Sequence, residues 1–147
     1  MNEFPPWIAV VDDDESIRRA LVRLLRSTGI EAMAFGSGTE FLAVLHASQP
    51  ACVVLDLNMP AMSGFEVQAR LARDNPDIPV IIITGQDSPE MWQRAMLTKP
   101  VAYLLKPMND ETLLEAIRQA AIKLAMLRHA KATARMPAAN NLQAQGS

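Results

Sequence analysis

Three carboxylates stand side by side at Asp12, Asp13 and Asp14, directly after the apolar run Ile8 to Val11. Other reactive side chains take the same kind of place further along: Asp56 follows Cys52 to Leu55, Thr84 follows Val80 to Ile83, and Lys106 follows Val101 to Leu105. Adjacent acids repel, and burying them unpaired costs on the order of several kcal/mol, so a bound cation is the natural compensation. A hard, oxygen-preferring ion fits such a set. Mg²⁺ takes one or two carboxylates, keeps waters and leaves room for phosphate oxygens, which suits a shallow rim better than an all-protein cage.

These side chains act together only if the chain brings its run ends to one place. Short β-like apolar runs alternate with helical patterns, the signature of a parallel sheet covered on both faces. The spacing predicts a strand over Ile8 to Val11, then a helix carrying Ile17, Leu21, Leu24 and Leu25 on one face until Gly29 stops it. Glu31 to Phe35 reads as a second strand, and Ser37 with Glu40 as a capping box opening a short helix striped by Phe41, Leu42 and Leu45. Cys52 to Leu55 is a third strand; Phe65, Val67 and Leu71 mark a third helix ending near Asn75 and Pro76. Val80 to Ile83 is strongly β-branched, as expected of a central strand. A weaker helix over Ser88 to Thr98, a strand over Val101 to Leu105 and a long helix striped by Leu113, Leu114, Ile117, Ala121 and Leu124 complete the pattern. Doubly wound sheets bind ligands beyond the carboxyl ends of their strands, so Asp12, Asp13, Asp56, Thr84 and Lys106 should converge there.

Composition narrows the function classes. The chain has 147 residues, half of them hydrophobic, enough for one compact domain and a tail. A formal charge of −2 offers no basic footprint, so direct nucleic-acid binding is not expected. Cys52, the single cysteine, lies in an apolar run and reads as core, which leaves no disulfide framework and no cysteine metal site. No apolar stretch approaches the ~20 residues of a membrane span, and the first residues lack signal-peptide character, so no membrane contact and a cytoplasmic protein are expected. Gly36-Ser37-Gly38 lacks the rest of a dinucleotide loop and reads as a turn and cap. His46 and His129 have no ligand-spaced companions and read as solvent-facing.

The chain contains, in order, Val11-Asp12-Asp13-Asp14-Glu15, then Val54-Leu55-Asp56-Leu57-Asn58-Met59-Pro60-Ala61-Met62-Ser63-Gly64, then Ile83-Thr84-Gly85, then Leu105-Lys106-Pro107. In motif and spacing this resembles the receiver domain of two-component response regulators, particularly the nitrogen-fixation type, over about Trp7 to Leu124. The resemblance implies a flavodoxin-like α/β fold, a doubly wound five-stranded parallel sheet in the order 2-1-3-4-5 with helices on both faces. It implies a receiver domain over 7–124, and composition then reads as a flexible N-terminus over 1–6 and a helical extension and flexible tail over 125–147. It also implies that Asp56 accepts a phosphoryl group from a sensor histidine kinase or phosphotransfer protein. Asp13 and Asp56 would hold Mg²⁺ directly, with Asp12 acting largely through a water and the Asn58 backbone carbonyl adding an oxygen. Lys106 and Thr84 would contact the phosphoryl oxygens, Thr84 and Tyr103 would switch the surface, and Asn58 and Gln86 would set the hydrolysis rate. Such a chain is not an enzyme in the ordinary sense: it catalyses its own phosphoryl transfer and autodephosphorylation.

Plainer readings stand beside these roles. Asp14 and Glu15 suit a helix N-terminus, where acids are favoured, and Tyr103 alone would pass for a half-buried strand residue. Two rival functions remain open: a phosphorylation-silent interaction module, and a small Mg²⁺-dependent aspartyl phosphatase, for which Asn58 stands where a second acid would be expected. Lys99-Pro100 departs from the Gly-Ala common in relatives and stiffens the loop before the fifth strand. Lys106-Pro107 should be cis by the same resemblance. Helical composition continues to about Arg135, with Leu124, Met126 and Leu127 available to an unknown downstream protein. A homodimer through the face from the fourth to the fifth helix is compatible with the family pattern.

Overall fold

The computed structural model describes residues 6–134. Five parallel strands and five helices alternate along them: β1 (Trp7–Val11), α1 (Glu15–Ser27), β2 (Glu31–Phe35), α2 (Gly38–Val44), β3 (Cys52–Asp56), α3 (Gly64–Asp74), β4 (Val80–Thr84), α4 (Pro89–Met96), β5 (Ala102–Leu105) and α5 (Asp110–Ala134). The sheet order is β2-β1-β3-β4-β5, as expected. The expected loose ends, apart from Pro6, and the tail beyond Met136 lie outside the described residues.

Strands buried on both faces need two cores. Ala9, Val11, Val53, Leu55 and Ile82 face one core with Phe35, Phe41, Val67, Leu71 and Ala95, beneath α2, α3 and α4. Ile8, Val10, Cys52, Val54, Ile81 and Ile83 face the other with Leu21, Leu25, Leu113, Ala116, Ile117 and Ala120, beneath α1 and α5. The period-two alternation of each strand decides which side chain enters which core. Cys52 is buried, and burial pushes its thiol up to about 12, so it packs as a small hydrophobe. His46 and His129 are exposed.

Helix boundaries follow local chemistry. Asp14 caps α1, its carboxylate accepting from the Ser16 and Ile17 N–H groups. Gly29, at φ +83, turns the chain out of α1 in a conformation that side chains resist. Ser37 Oγ accepts from Glu40 N–H, while the Glu40 carboxylate reaches the N–H of Gly36, one residue beyond the Ser37 N–H that a reciprocal capping box would use. Ser88 caps α4 from outside, so this helix is shorter than Ser88 to Thr98. Buried Gln68 on α3 donates to the Ala95 carbonyl and to Thr98 Oγ1, tying down the far end of α4.

Three sequence expectations need correction. Asp56 and Thr84 are the last residues of β3 and β4, not the first after them, because their pairing with Ile83 and Leu105 continues the ladders. β5 starts at Ala102, although the Val101 N–H still donates to the Val80 carbonyl. On α5, Ala121 is exposed, and Ala116 and Ala120 pack against the sheet instead, their small side chains permitting close approach. Lys106-Pro107 is cis, as expected.

Candidate functional site

The sheet delivers the expected residues to one edge. β1 ends just before Asp12, β3 ends at Asp56, and β4 and β5 end at Thr84 and Leu105. Carboxylate oxygens of Asp12, Asp13 and Asp56 all lie within 4.8 Å of one another. Asp12 and Asp56 are buried, and Asp13 is exposed at the mouth. The Lys106 ammonium sits 2.7 Å from Asp12 Oδ2 and 3.5 Å from Asp56 Oδ1. Three hard carboxylate donors at this spacing fit a small divalent ion such as Mg²⁺, with one side open to a further ligand.

Electrostatics at the site run against ionised Asp56. Burial first, and then the charge of Asp12, push its carboxyl from 3.8 up to about 6, against the pull of Lys106 and the Asn58 N–H. Burial works against the Lys106 charge, but the hydrogen bond to Asp12 and the nearby carboxylates outweigh it and raise its pKa. Lys106 therefore stays cationic beside a carboxylate that is still largely ionised at neutral pH.

Thr84 is buried and its hydroxyl is occupied. It donates to the Gln86 carbonyl at 2.7 Å and accepts from Asn58 Nδ2 and the Gln86 N–H, both at 3.2 Å. Gly85 beside it meets only Lys106 Cδ, 4.0 Å from an added Cβ, so the mouth is open. Tyr103 is turned the other way, its hydroxyl donating to Asp87 Oδ1 at 2.9 Å. Burial, together with the Asp87 carboxylate, pushes the Tyr103 phenol up to about 12. Asn58 follows β3, and its backbone N–H donates to Asp56 Oδ1 at 3.3 Å.

The sequence reading named every member of this cluster but missed two neighbours. Asp87, the partner of Tyr103, carries no motif signal because the contact joins a loop to a strand 16 residues away. Arg18 donates from its guanidinium to the Asp12 carbonyl at 2.8 Å. Nothing in residue type or spacing sets Arg18 apart from Arg19 beside it, so this contact carries no signal in the sequence.

The model of the response regulator receiver domain matches residues 8–118. Nodulation protein W of Bradyrhizobium diazoefficiens is 44% identical over 110 residues, 75% of this chain and 48% of that protein. Transcriptional regulatory protein FixJ of Rhizobium meliloti is 34% identical over 113 residues, 77% of this chain and 55% of that protein. The chain thus spans about half the length of the curated relatives it matches. The crystal structure of a CheY-like response regulator receiver domain protein from Methanospirillum hungatei superposes at a TM-score of 0.79 with 26% identity, covering 84% of this chain and 98% of that one. With its strand order, acidic edge and family match in agreement, this chain belongs to the response regulator receiver family of two-component signalling, in the company of nitrogen-fixation-type regulators.

Proposed function

We propose that Asp56 accepts a phosphoryl group from a histidine kinase or phosphotransfer partner, and that the modified site switches a protein-binding surface. The observation that carries this reading is the meeting of Asp12, Asp13, Asp56 and Lys106 at the strand ends, all within ion-pair or metal-ligand distance. Asp12, Asp13 and Asp56 would hold Mg²⁺, joined by the Asn58 backbone carbonyl. Bound there, the ion would neutralise charge on the phosphoryl oxygens.

An Asp56 oxygen attacks phosphorus as the phosphorus–nitrogen bond of a donor phosphohistidine breaks, and the electron pair returns to the imidazole, which leaves with a proton. In such transfers the protein mainly positions groups and offsets charge, which a lysine, a hydroxyl and acids can do. Lys106 exchanges part of its contact with Asp12 for the new phosphoryl oxygens. To donate to one of them, the Thr84 hydroxyl must leave the Gln86 carbonyl, and Tyr103 must leave Asp87 to follow it inward. Shifting a population from about 1:99 to 99:1 takes about 5.5 kcal/mol of differential binding, a scale that a dianion gripped by a metal, a lysine and a hydroxyl can reach. Asn58 and Gln86 flank the site and set the lifetime of the acyl phosphate.

Intact-mass measurement after incubation with acetyl phosphate and Mg²⁺ tests this. Wild type should gain one phosphoryl group, Asp56→Asn should gain none, and substitution of Gln86 should change the decay of the added mass. An unmodified wild type, or an Asp56→Asn variant modified to the same extent, overturns the reading.

A further inference from the structure

Resting on the phosphoacceptor reading above, we infer that Arg18 is a positioning residue for the divalent-ion site, acting through the peptide that joins Asp12 to Asp13. The carbonyl that Arg18 Nη1 contacts at 2.8 Å belongs to that peptide. A peptide unit is planar, so fixing its oxygen fixes the plane from which both carboxylates depart. The other groups of Asp12 are already committed. Its N–H donates to the Phe35 carbonyl at 3.1 Å, Oδ1 accepts from Asp14 N–H at 2.9 Å, and Oδ2 accepts from Lys106 at 2.7 Å. The carbonyl lies past the last rung of β1, whose pairing ends at Val11, so no strand neighbour holds it. Among the described residues its hydrogen-bond partner is Arg18, reaching back from α1.

Space has been left for this reach. A Cβ at Gly36 would lie 3.3 Å from Arg18 Nη1, so the residue just after β2 is small where the guanidinium passes. Arg18 is half-buried, and near the start of α1 its charge opposes the helix dipole.

The same helix supplies a control. Arg26 also sits on α1 and also donates to a backbone carbonyl, that of Ala32 at 3.0 Å, but away from the acidic edge. If Arg18 merely fastens α1 to the sheet, losing either arginine should have the same kind of effect. If it orients the ligands, only Arg18 should alter ion binding.

The test measures the Mg²⁺ dissociation constant of the unphosphorylated chain by calorimetry, well below each variant's melting temperature, with phosphorylation at saturating Mg²⁺ read by intact mass. Arg18→Ala should weaken Mg²⁺ binding about tenfold, as loss of groups that orient metal ligands typically does. Its phosphorylation should recover once Mg²⁺ exceeds the new constant. Arg18→Lys, which keeps a cationic donor and protects against failure to fold, should lie between Arg18→Ala and wild type. Arg26→Ala should melt earlier with an unchanged Mg²⁺ constant. Arg18 variants that bind Mg²⁺ as wild type does, or an Arg26→Ala variant weakened to the same degree, overturn the inference while leaving the phosphoacceptor reading intact. A wild type that binds no Mg²⁺ removes both.

Discussion

Asp56 shows how one site must reconcile stability with chemistry. Burial, and then the charge of Asp12, push its carboxyl up from the ordinary 3.8 to about 6. Below both values the group is protonated in the folded and the unfolded chain. Between them the folded chain alone keeps the proton, so the stabilisation present at low pH is lost as pH rises through about 6. An amide cannot ionise. Asp56→Asn should therefore melt higher than wild type near pH 7.5 in chelator, and its advantage should shrink as pH falls towards about 4. Titrating groups away from Asp56 are common to both proteins and cancel in the difference, while the lost attraction between Asp56 and Lys106 works against the gain. Thermal melts at the two ends of that range check this, and equal melting temperatures near pH 7.5 would count against it. At this scale the sequence was informative because carboxylates, a threonine and a lysine after apolar runs have few other reasons to recur. Asp87 and Arg18 escaped notice because each is a common polar residue whose meaning comes from a partner that only the fold supplies.

Elements place these residues by how closely their backbones approach. The start of α3 presses onto the end of β3: a Cβ on Gly64 would lie 2.2 Å from the Asp56 carbonyl oxygen and 2.6 Å from Leu57 Cα. Both obstacles are main chain at the end of β3 and just beyond it, where Asp56 sits, so neither can rotate away. Gly38 is also tight, but there the obstacles are side chains, Val67 Cγ2 at 2.6 Å and Met62 Sδ at 3.0 Å. Overpacking commonly costs about 1–3 kcal/mol, and Gly64→Ala should reach the top of that range or exceed it. Gly38→Ala should cost less, and of the two only Gly64→Ala should slow phosphorylation of its folded fraction. Denaturant titration with a phosphorylation time course checks both, and a Gly64→Ala variant as stable as wild type would refute the packing argument. Element types were legible because alternation, caps and Gly29 all pointed the same way. Element ends were less so: a polar residue such as Asp56 or Thr84 resembles a loop in hydropathy yet keeps its ladder bonds. Lys99 shows a third limit. It adopts φ +54, the conformation a glycine would favour, so the departure from Gly-Ala changes the residue and keeps the left-handed turn.

At the scale of the whole molecule, the two faces of the sheet are covered but its β5 edge is not. α4 and α5 border that edge, and they and β5 leave large apolar side chains in water: Trp92 is 50% exposed, Leu105 49%, Ile122 53% and Met126 67%. α5 also outlasts the sheet. Its 25 residues rise about 37 Å, roughly twice the length of a five-residue strand, and near its end Lys131 pairs with Asp77 below the sheet. Tyr103 lies on β5, and its partner Asp87 lies in the loop leading to α4, so any movement that separates them alters this same side of the molecule. Exposed apolar residues on a side that such a movement would alter are suited to pairing in one state and not the other. Phosphorylated chain should therefore form a homodimer that unphosphorylated chain forms more weakly, by about tenfold or more in dissociation constant, equivalent to ~1.4 kcal/mol. Buried aromatic side chains dominate many interfaces, so Trp92→Asp should abolish the dimer while leaving the phosphorylated mass unchanged. Light scattering across a concentration series, with and without acetyl phosphate, measures both effects. A phosphorylated chain that stays monomeric, or a dimer indifferent to phosphorylation and to Trp92→Asp, would mean that the proposed switch at Asp56 acts through a different surface.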